Sequence, residues 1–152
     1  MKGEPCTLLI VEDDPDALVL LRRALRKGGV QASLHVLTDG ESALDYLAGK
    51  GRFRDRQAHP LPAIILLDLK LPKRSGLEVL EWKHGQPQLR AIPVIIVTSS
   101  EEESDRRRAA ELGAHHYDVK LIDPGSLLRL AKKVRRYAAL CEHRGAGNRT
   151  AG

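Results

Sequence analysis

Three short stretches of the chain are apolar at nearly every position: Thr7–Val11, Ala63–Leu67 and Ile92–Val97. Continuous Val/Ile/Leu runs of this length read as strands covered on both faces, which is the situation in a parallel sheet. Ser33–Leu37 and His115–Val119 read as two weaker strands. Between these runs the apolar spacing changes to that of helices. Pro15–Lys27 carries Leu18, Leu21 and Leu25 on one stripe and meets Gly28-Gly29, a helix stop. Gly40–Leu47 and Leu77–Lys83 are shorter helices. A fourth is predicted from Ser100 to Gly113, with Ser100 and Glu103 as a capping box and a run of glutamates at its positive end. Its body has little apolar surface, so it is expected to be loosely held. A fifth, Pro124–Cys141, places Leu127, Leu130, Ala131, Val134, Ala138 and Cys141 on one side. Strand and helix alternating five times imply βαβ units, and right-handed crossovers turn these into a doubly wound parallel sheet with helices on both faces. Residues 49–62, rich in Gly, Pro and Arg, form the long connection. Residues 1–141 are expected to be one domain and 142–152 a basic, flexible tail.

Composition fits this picture and narrows it. With 42% hydrophobic and 30% charged residues over 152 positions, the chain is an ordinary globular one, not a disordered one. Aromatics are 3%, so the core must be built from Leu, Ile, Val and Ala. No apolar run approaches the roughly 18 residues of a membrane helix. The first apolar run is cut short by Glu12 and Asp13, unlike a secretion signal. Cys6 and Cys141 form no recognisable framework and are expected to be plain thiols in a cytoplasmic protein. The net charge is +5, and the segment Lys132–Gly152 carries six basic residues against one acid, so the rest of the chain is balanced. No helix-turn-helix, zinc-finger or base-stacking motif accompanies that basic end, so it reads as a solvated helix face and tail, and no direct DNA binding is expected.

Ligands of open parallel sheets sit outside the carboxyl ends of the strands. Those ends carry chemistry here. The first strand ends in Glu12-Asp13-Asp14, the third in Asp68, the fourth in Thr98-Ser99 and the fifth in Lys120. Taken singly, an acidic pair after a strand is more often a helix cap, a threonine there is usually a cap as well, and a lone lysine usually faces solvent. Together they place carboxylates from two strands at one edge, an arrangement whose repulsion calls for a cation. Oxygen-only ligands in small number suit Mg²⁺. A carboxylate in that position can act as a nucleophile towards phosphorus, and a hydroxyl and an ammonium opposite it can hold the transferred oxygens.

The runs LLIVEDDPD, ILLDLKLPKRSG, VIIVTSS and LGAHHYDVK, in that order and spacing, resemble the receiver domain of two-component response regulators over about residues 7–138. The resemblance implies a flavodoxin-like fold with strand order 2-1-3-4-5. It makes Asp68 the phosphoacceptor and a metal ligand, Asp13 a direct Mg²⁺ ligand and Glu12 one acting through water. Lys70 would supply a backbone carbonyl to the metal. Thr98 would be the hydroxyl that moves towards the phosphoryl group, Lys120 the lysine that pairs with it, and Tyr117 the aromatic switch that turns inward when Thr98 shifts. Asp14 is expected to cap the first helix. The Arg/Pro-rich loop and the DLKLPKRSG and PQLRAIPVIIVTSS segments look like stand-alone regulators paired with phytochrome-type histidine kinases.

Three positions depart from the pattern. Leu121 stands where the family has a proline after the lysine; a cis bond there would cost ~2.5–4 kcal/mol, so a trans bond is expected, with Lys120 displaced from Asp68. Asp118 stands at an aliphatic strand position and needs a partner if buried. Lys83 falls on the inward stripe of the third helix, where snorkelling is expected. The function expected is therefore that of a phosphoacceptor, not an enzyme in its own right, receiving its phosphoryl group from a sensor histidine kinase and signalling through protein contacts. The alternatives are a receiver-like module that works without phosphorylation and an aspartyl-phosphate phosphatase. The latter wants an aspartate where Lys70 stands. A homodimer through the fifth-helix face is expected because Leu130, Tyr137 and Leu140 have no evident partner within the chain.

Overall fold

The computed structural model describes residues 6–120 and 123–150, with side chains described as far as residue 140. In this part of the chain five strands, β1 (Cys6–Val11), β2 (Ala32–Leu37), β3 (Ile64–Leu67), β4 (Val94–Thr98) and β5 (His116–Val119), alternate with five helices, α1 (Pro15–Lys27), α2 (Gly40–Ala48), α3 (Gly76–His84), α4 (Glu103–Glu111) and α5 (Pro124–Thr150). The strands are all parallel in the order β2-β1-β3-β4-β5. The doubly wound, flavodoxin-like sheet expected from the pattern is the observed one.

The period-2 pleat divides each apolar run between two cores. Leu9 and Val11 of β1, with Ile65, Leu67, Val94 and Ile96, face α2, α3 and α4 through Ala43, Tyr46, Leu47, Val79, Leu80 and Ala109. Leu8 and Ile10, with Ile64, Leu66 and Ile95, face α1 and α5 through Leu21, Leu25, Leu130, Ala131 and Val134. Both faces are covered, which is why these strands are apolar throughout rather than alternating. β4 begins at Val94 rather than at Ile92 because Pro93 has no N–H to give the ladder; its carbonyl still accepts from Ile65 N at 3.0 Å.

Several expectations are corrected. α4 starts at Glu103, not Ser100, and no side chain caps it. Ser100 instead accepts from Glu102 N and donates to Asp105, a local turn that competes with helix and delays its start. α5 does not stop near Cys141: it runs on to Thr150, through most of the segment read as a tail, since no proline intervenes and each further residue adds a hydrogen bond to an existing helix. Leu130 is core, and the Tyr137 hydroxyl meets His116 Nε2 at 3.3 Å, so of the three positions taken as partnerless only Leu140 is exposed. Cys6 is disulfide-bonded rather than a plain thiol; the side chain of Cys141 lies outside the described residues. Among the described residues no helix is long and apolar enough to cross a membrane.

Candidate functional site

The carboxyl ends of β1, β3, β4 and β5 bring four side chains to one edge of the sheet. The backbone fixes each of them. Glu12 N donates to Leu37 O, Asp68 N to Val11 O and Lys120 N to Thr98 O, at 2.9, 3.1 and 2.7 Å. Glu12, Asp68 and Lys120 are therefore each the first residue past a paired strand, and Thr98 is the last residue of its own. Glu12 and Asp68 are each 4% exposed and Thr98 is fully buried, while Asp13 points to solvent. α3 starts directly against Asp68, with Gly76 N donating to Leu69 O at 2.8 Å; a methyl group at Gly76 would run into the Asp68 carbonyl.

Lys120 Nζ lies 2.6 Å from Glu12 Oε1 and 2.9 Å from Asp68 Oδ2. The displacement of Lys120 expected from Leu121 is not observed: the ammonium bridges the two carboxylates. The Lys120–Leu121 bond itself lies outside the described residues. Burial would lower the ammonium pKa, but hydrogen bonds to Glu12 and Asp68 outweigh it and hold Lys120 above the ordinary lysine value. Burial likewise pushes the Glu12 carboxyl up, only partly offset by Lys120 and by the Asp14 N–H on its Oε2. Asp68 Oδ1 accepts the Lys70 N–H at 3.2 Å. Asp14 caps α1 by accepting from Asp16 N, as the sequence suggested.

Carboxylate oxygens of Glu12, Asp13 and Asp68 fall within 4.8 Å of one another. Three carboxylates face a single ammonium, so two negative charges are left over. An oxygen-only donor set with that excess fits a hard divalent cation, and the residues present therefore suit Mg²⁺.

Behind the carboxylates lies a polar relay that the sequence alone did not disclose. Thr98 Oγ1 accepts from Ser100 N at 3.3 Å, and the Tyr117 hydroxyl donates to Ser100 O at 3.0 Å. Ser100 Oγ donates to Asp105 Oδ2 at 2.6 Å, and the Arg106 guanidinium lies 4.6 Å from the centre of the Tyr117 ring. Thr98 and Tyr117 are singled out by the motifs. In the sequence Ser100 stands out only as a cap, and no pattern marks Asp105 or Arg106. The Asp118 side chain is met by Lys133 at 2.9 Å, which gives this departure its partner.

The response regulator receiver domain model matches residues 8–132. A probable methanogenesis regulatory protein, FilR2, of Methanothrix harundinacea is 36% identical over 134 residues, covering 88% of this chain and 84% of its own. Rcp1, a response regulator of Synechocystis, is 32% identical with 88% of each chain covered, and its Mn²⁺-bound crystal structure superposes with a TM-score of 0.76 over 86% of this chain and 91% of that one. The bacteriophytochrome response regulator RtBRR is 43% identical, with a TM-score of 0.75 over 86% of this chain and 78% of its own.

Proposed function

The chain belongs to the response regulator receiver domain family, and from that premise we propose that it is the phosphoacceptor of a cytoplasmic two-component relay, with Asp68 as the acceptor. A carboxylate oxygen of Asp68 attacks the phosphorus of a phosphohistidine on a sensor kinase. The Asp68 O–P bond forms as the P–N bond breaks, and the histidine nitrogen keeps the electron pair and takes a proton. The observation that carries this reading is the Lys120 ammonium held between Glu12 and Asp68 at the meeting of three strand ends. Lys120 holds Asp68 in place and is positioned to follow the charge onto the phosphoryl oxygens. Thr98, at the neighbouring strand end, supplies a hydroxyl to the same group, and Tyr117 reports the change through Ser100.

Glu12, Asp13, Asp68 and the Lys70 carbonyl would hold Mg²⁺, with Glu12 acting through water. When bound, the ion neutralises the excess charge of the carboxylates and of the incoming phosphoryl oxygens. The likeness to a bacteriophytochrome regulator supports a phytochrome-type kinase as the donor. The reading extends to a contact between two copies through the α5 face.

The test is incubation with acetyl phosphate and Mg²⁺, read by intact mass. The wild-type chain gains ~80 Da, the mass of one phosphoryl group, and Asp68→Asn does not. Labelling that persists in Asp68→Asn overturns the assignment. Asp13→Ala raises the Mg²⁺ concentration needed without lowering the melting temperature in metal-free buffer, because it relieves repulsion among the carboxylates.

A further inference from the structure

α1 and α5 lie side by side on one face of the sheet and share its core. The end of α1 is pressed against the middle of α5: a Cβ at Gly28 would run into that of Ala131, and one at Gly29 would come within 3.5 Å of the Arg135 guanidinium. The outer surface of this pair is strongly basic. Arg22, Arg23, Arg26 and Lys27 are exposed on the second half of α1, and Arg129, Lys132, Arg135 and Arg136 are exposed on α5. Among the described residues none of these has a salt bridge, whereas Lys133, the α5 lysine that faces β5, is paired with Asp118. The chain carries no acid from Ala17 to Gly29 or from Pro124 to Cys141. Asp14, Asp16 and Asp123 stand at the starts of the two helices, towards the carboxyl edge of the sheet. Charge is thus separated along the pair, acid at the end near the site and base away from it. Read along the chain, only the α5 part of this charge stands out; packing adds the α1 part.

We propose that the α1–α5 face binds the phosphate backbone of duplex DNA without reading its sequence. The inference does not rest on the phosphoacceptor reading. Most of the basic residues on the face are arginine, whose planar fork matches phosphate oxygens. Their number and spread favour a duplex over other polyanions. Two packed helices with their side chains make a surface roughly 20 Å across. Over that length a duplex carries about twelve charges and a single strand about six, and with half of them facing the protein the duplex offers about six and the strand about three. The unpaired cations outnumber what a strand presents and match the duplex. A lipid surface fits less well, because it needs a continuous apolar stripe to insert. Away from the Leu140 end, Val19 and Leu128 are the large aliphatics exposed on these helices. The lack of a base-reading motif suggested that no DNA is bound. A backbone contact needs no such motif; its lack means that all sequences are held alike.

The experiment titrates the full chain into a fluorescein-labelled duplex of about 20 base pairs, long enough to span the face, and reads anisotropy between about 50 and 200 mM salt. The wild-type chain binds two duplexes of unrelated sequence equally, and the logarithm of its affinity falls with that of salt with a slope of about −4 or steeper. Arg23→Gln with Lys27→Gln on α1, and Lys132→Gln with Arg136→Gln on α5, each weaken binding about tenfold or more and make the slope shallower by about two. Glutamine keeps the helix propensity, so the melting temperature stays the same; if the first pair lowers it, Arg22→Gln with Arg26→Gln takes its place. Lys50→Gln with Arg54→Gln, exposed in the connection after α2, removes the same charge elsewhere and leaves the affinity within about twofold. An equal loss in that control shows attraction by net charge alone and overturns the proposal. An α1 pair without effect confines the contact to α5 and overturns the joint face. Binding to phosphatidylglycerol vesicles without binding to the duplex, or to poly-glutamate as tightly as to the duplex, overturns the choice of partner. The ~80 Da gain at Asp68 is measured separately, and its absence bears on the phosphoacceptor reading alone.

Discussion

Lys83 is the residue most at odds with its surroundings. It lies on the inward side of α3 at 5% exposure, and among the described residues no carboxylate or carbonyl is bonded to its ammonium. Burial lowers its pKa from the ordinary value of 10.5, and the same charge helps to lower the pKa of His115. The expected snorkelling is therefore incomplete. Between its lowered folded pKa and 10.5 the unfolded chain binds the proton more readily than the folded one, so stability rises with pH across that window. Below it the folded chain carries a charge that burial disfavours. Lys83→Met should stabilise the protein at neutral pH by about 1 kcal/mol or more, which is roughly 2–4 °C in melting temperature. The gain should shrink as the pH approaches 10.5. Thermal melts of both proteins across that range check it, and a gain that is constant with pH would point to packing alone. The inward position of Lys83 was legible from helical spacing, as were Glu12, Asp68, Thr98 and Lys120, because each follows or ends an apolar run whose pairing fixes its place. The stacking of Arg106 on Tyr117 was not legible. It joins residues eleven apart across a turn, and no periodicity encodes the path of that turn.

At the scale of elements, α1 has the bounds that its pattern predicted, since Asp14, Pro15 and Gly28 mark both ends in local chemistry. α4 and α5 differ because their ends depend on competition that spacing does not encode: Ser100 prefers a turn, and α5 meets no strong stop. The long connection between α2 and β3 shows how a loop without a hydrophobic pattern is held. α2 ends at Gly49, whose φ of 70° is a left-handed cap. The Arg56 guanidinium then donates to the carbonyls of Tyr46 and Leu47 at the end of α2, and to His59 within the loop, at 2.8, 2.9 and 3.2 Å. The Tyr46 hydroxyl closes the same loop on Pro60 O at 2.8 Å. Charge-assisted bonds to carbonyls are worth more than neutral ones, and removing the donor takes the guanidinium from the Leu47 carbonyl at the helix end, while the Tyr46 carbonyl keeps the Gly49 N–H. Arg56→Ala should cost about 2 kcal/mol, roughly 4–8 °C in melting temperature, and should open residues 49–62 to limited proteolysis. Unchanged cleavage in that segment would show that the aromatic cluster of Tyr46, Phe53 and His59 holds the loop without Arg56.

For the whole molecule, the two ends of the sheet have different characters. The carboxyl edge carries the charged site. At the amino edge, Pro62, Ile92, Pro93, Tyr137 and Leu140 line a shallow hollow of about 220 Å³, with Leu140 52% exposed and Leu61 44% exposed. Apolar surface of this kind suits a contact between proteins. A two-fold contact would bring the same patch of each copy together. The basic residues Lys132, Arg135 and Arg136 lie on the exposed side of α5, where they would flank such a contact and limit its strength at low salt. The copy-to-copy contact proposed above is therefore placed at the Leu140 end of α5 rather than along the stripe that includes Leu130, which the core consumes. Light scattering at micromolar concentration should give about twice the single-chain mass of 16.8 kDa. Leu140→Glu should return it to one chain, since a buried carboxylate without a partner is strongly disfavoured in an interface. The substitution leaves the Tyr137–His116 contact in place, so the melting temperature of the single chain and the ~80 Da gain at Asp68 should both survive. A mass of one chain at every concentration would end the two-copy reading, and a dimer indifferent to Leu140→Glu would move the contact away from this edge.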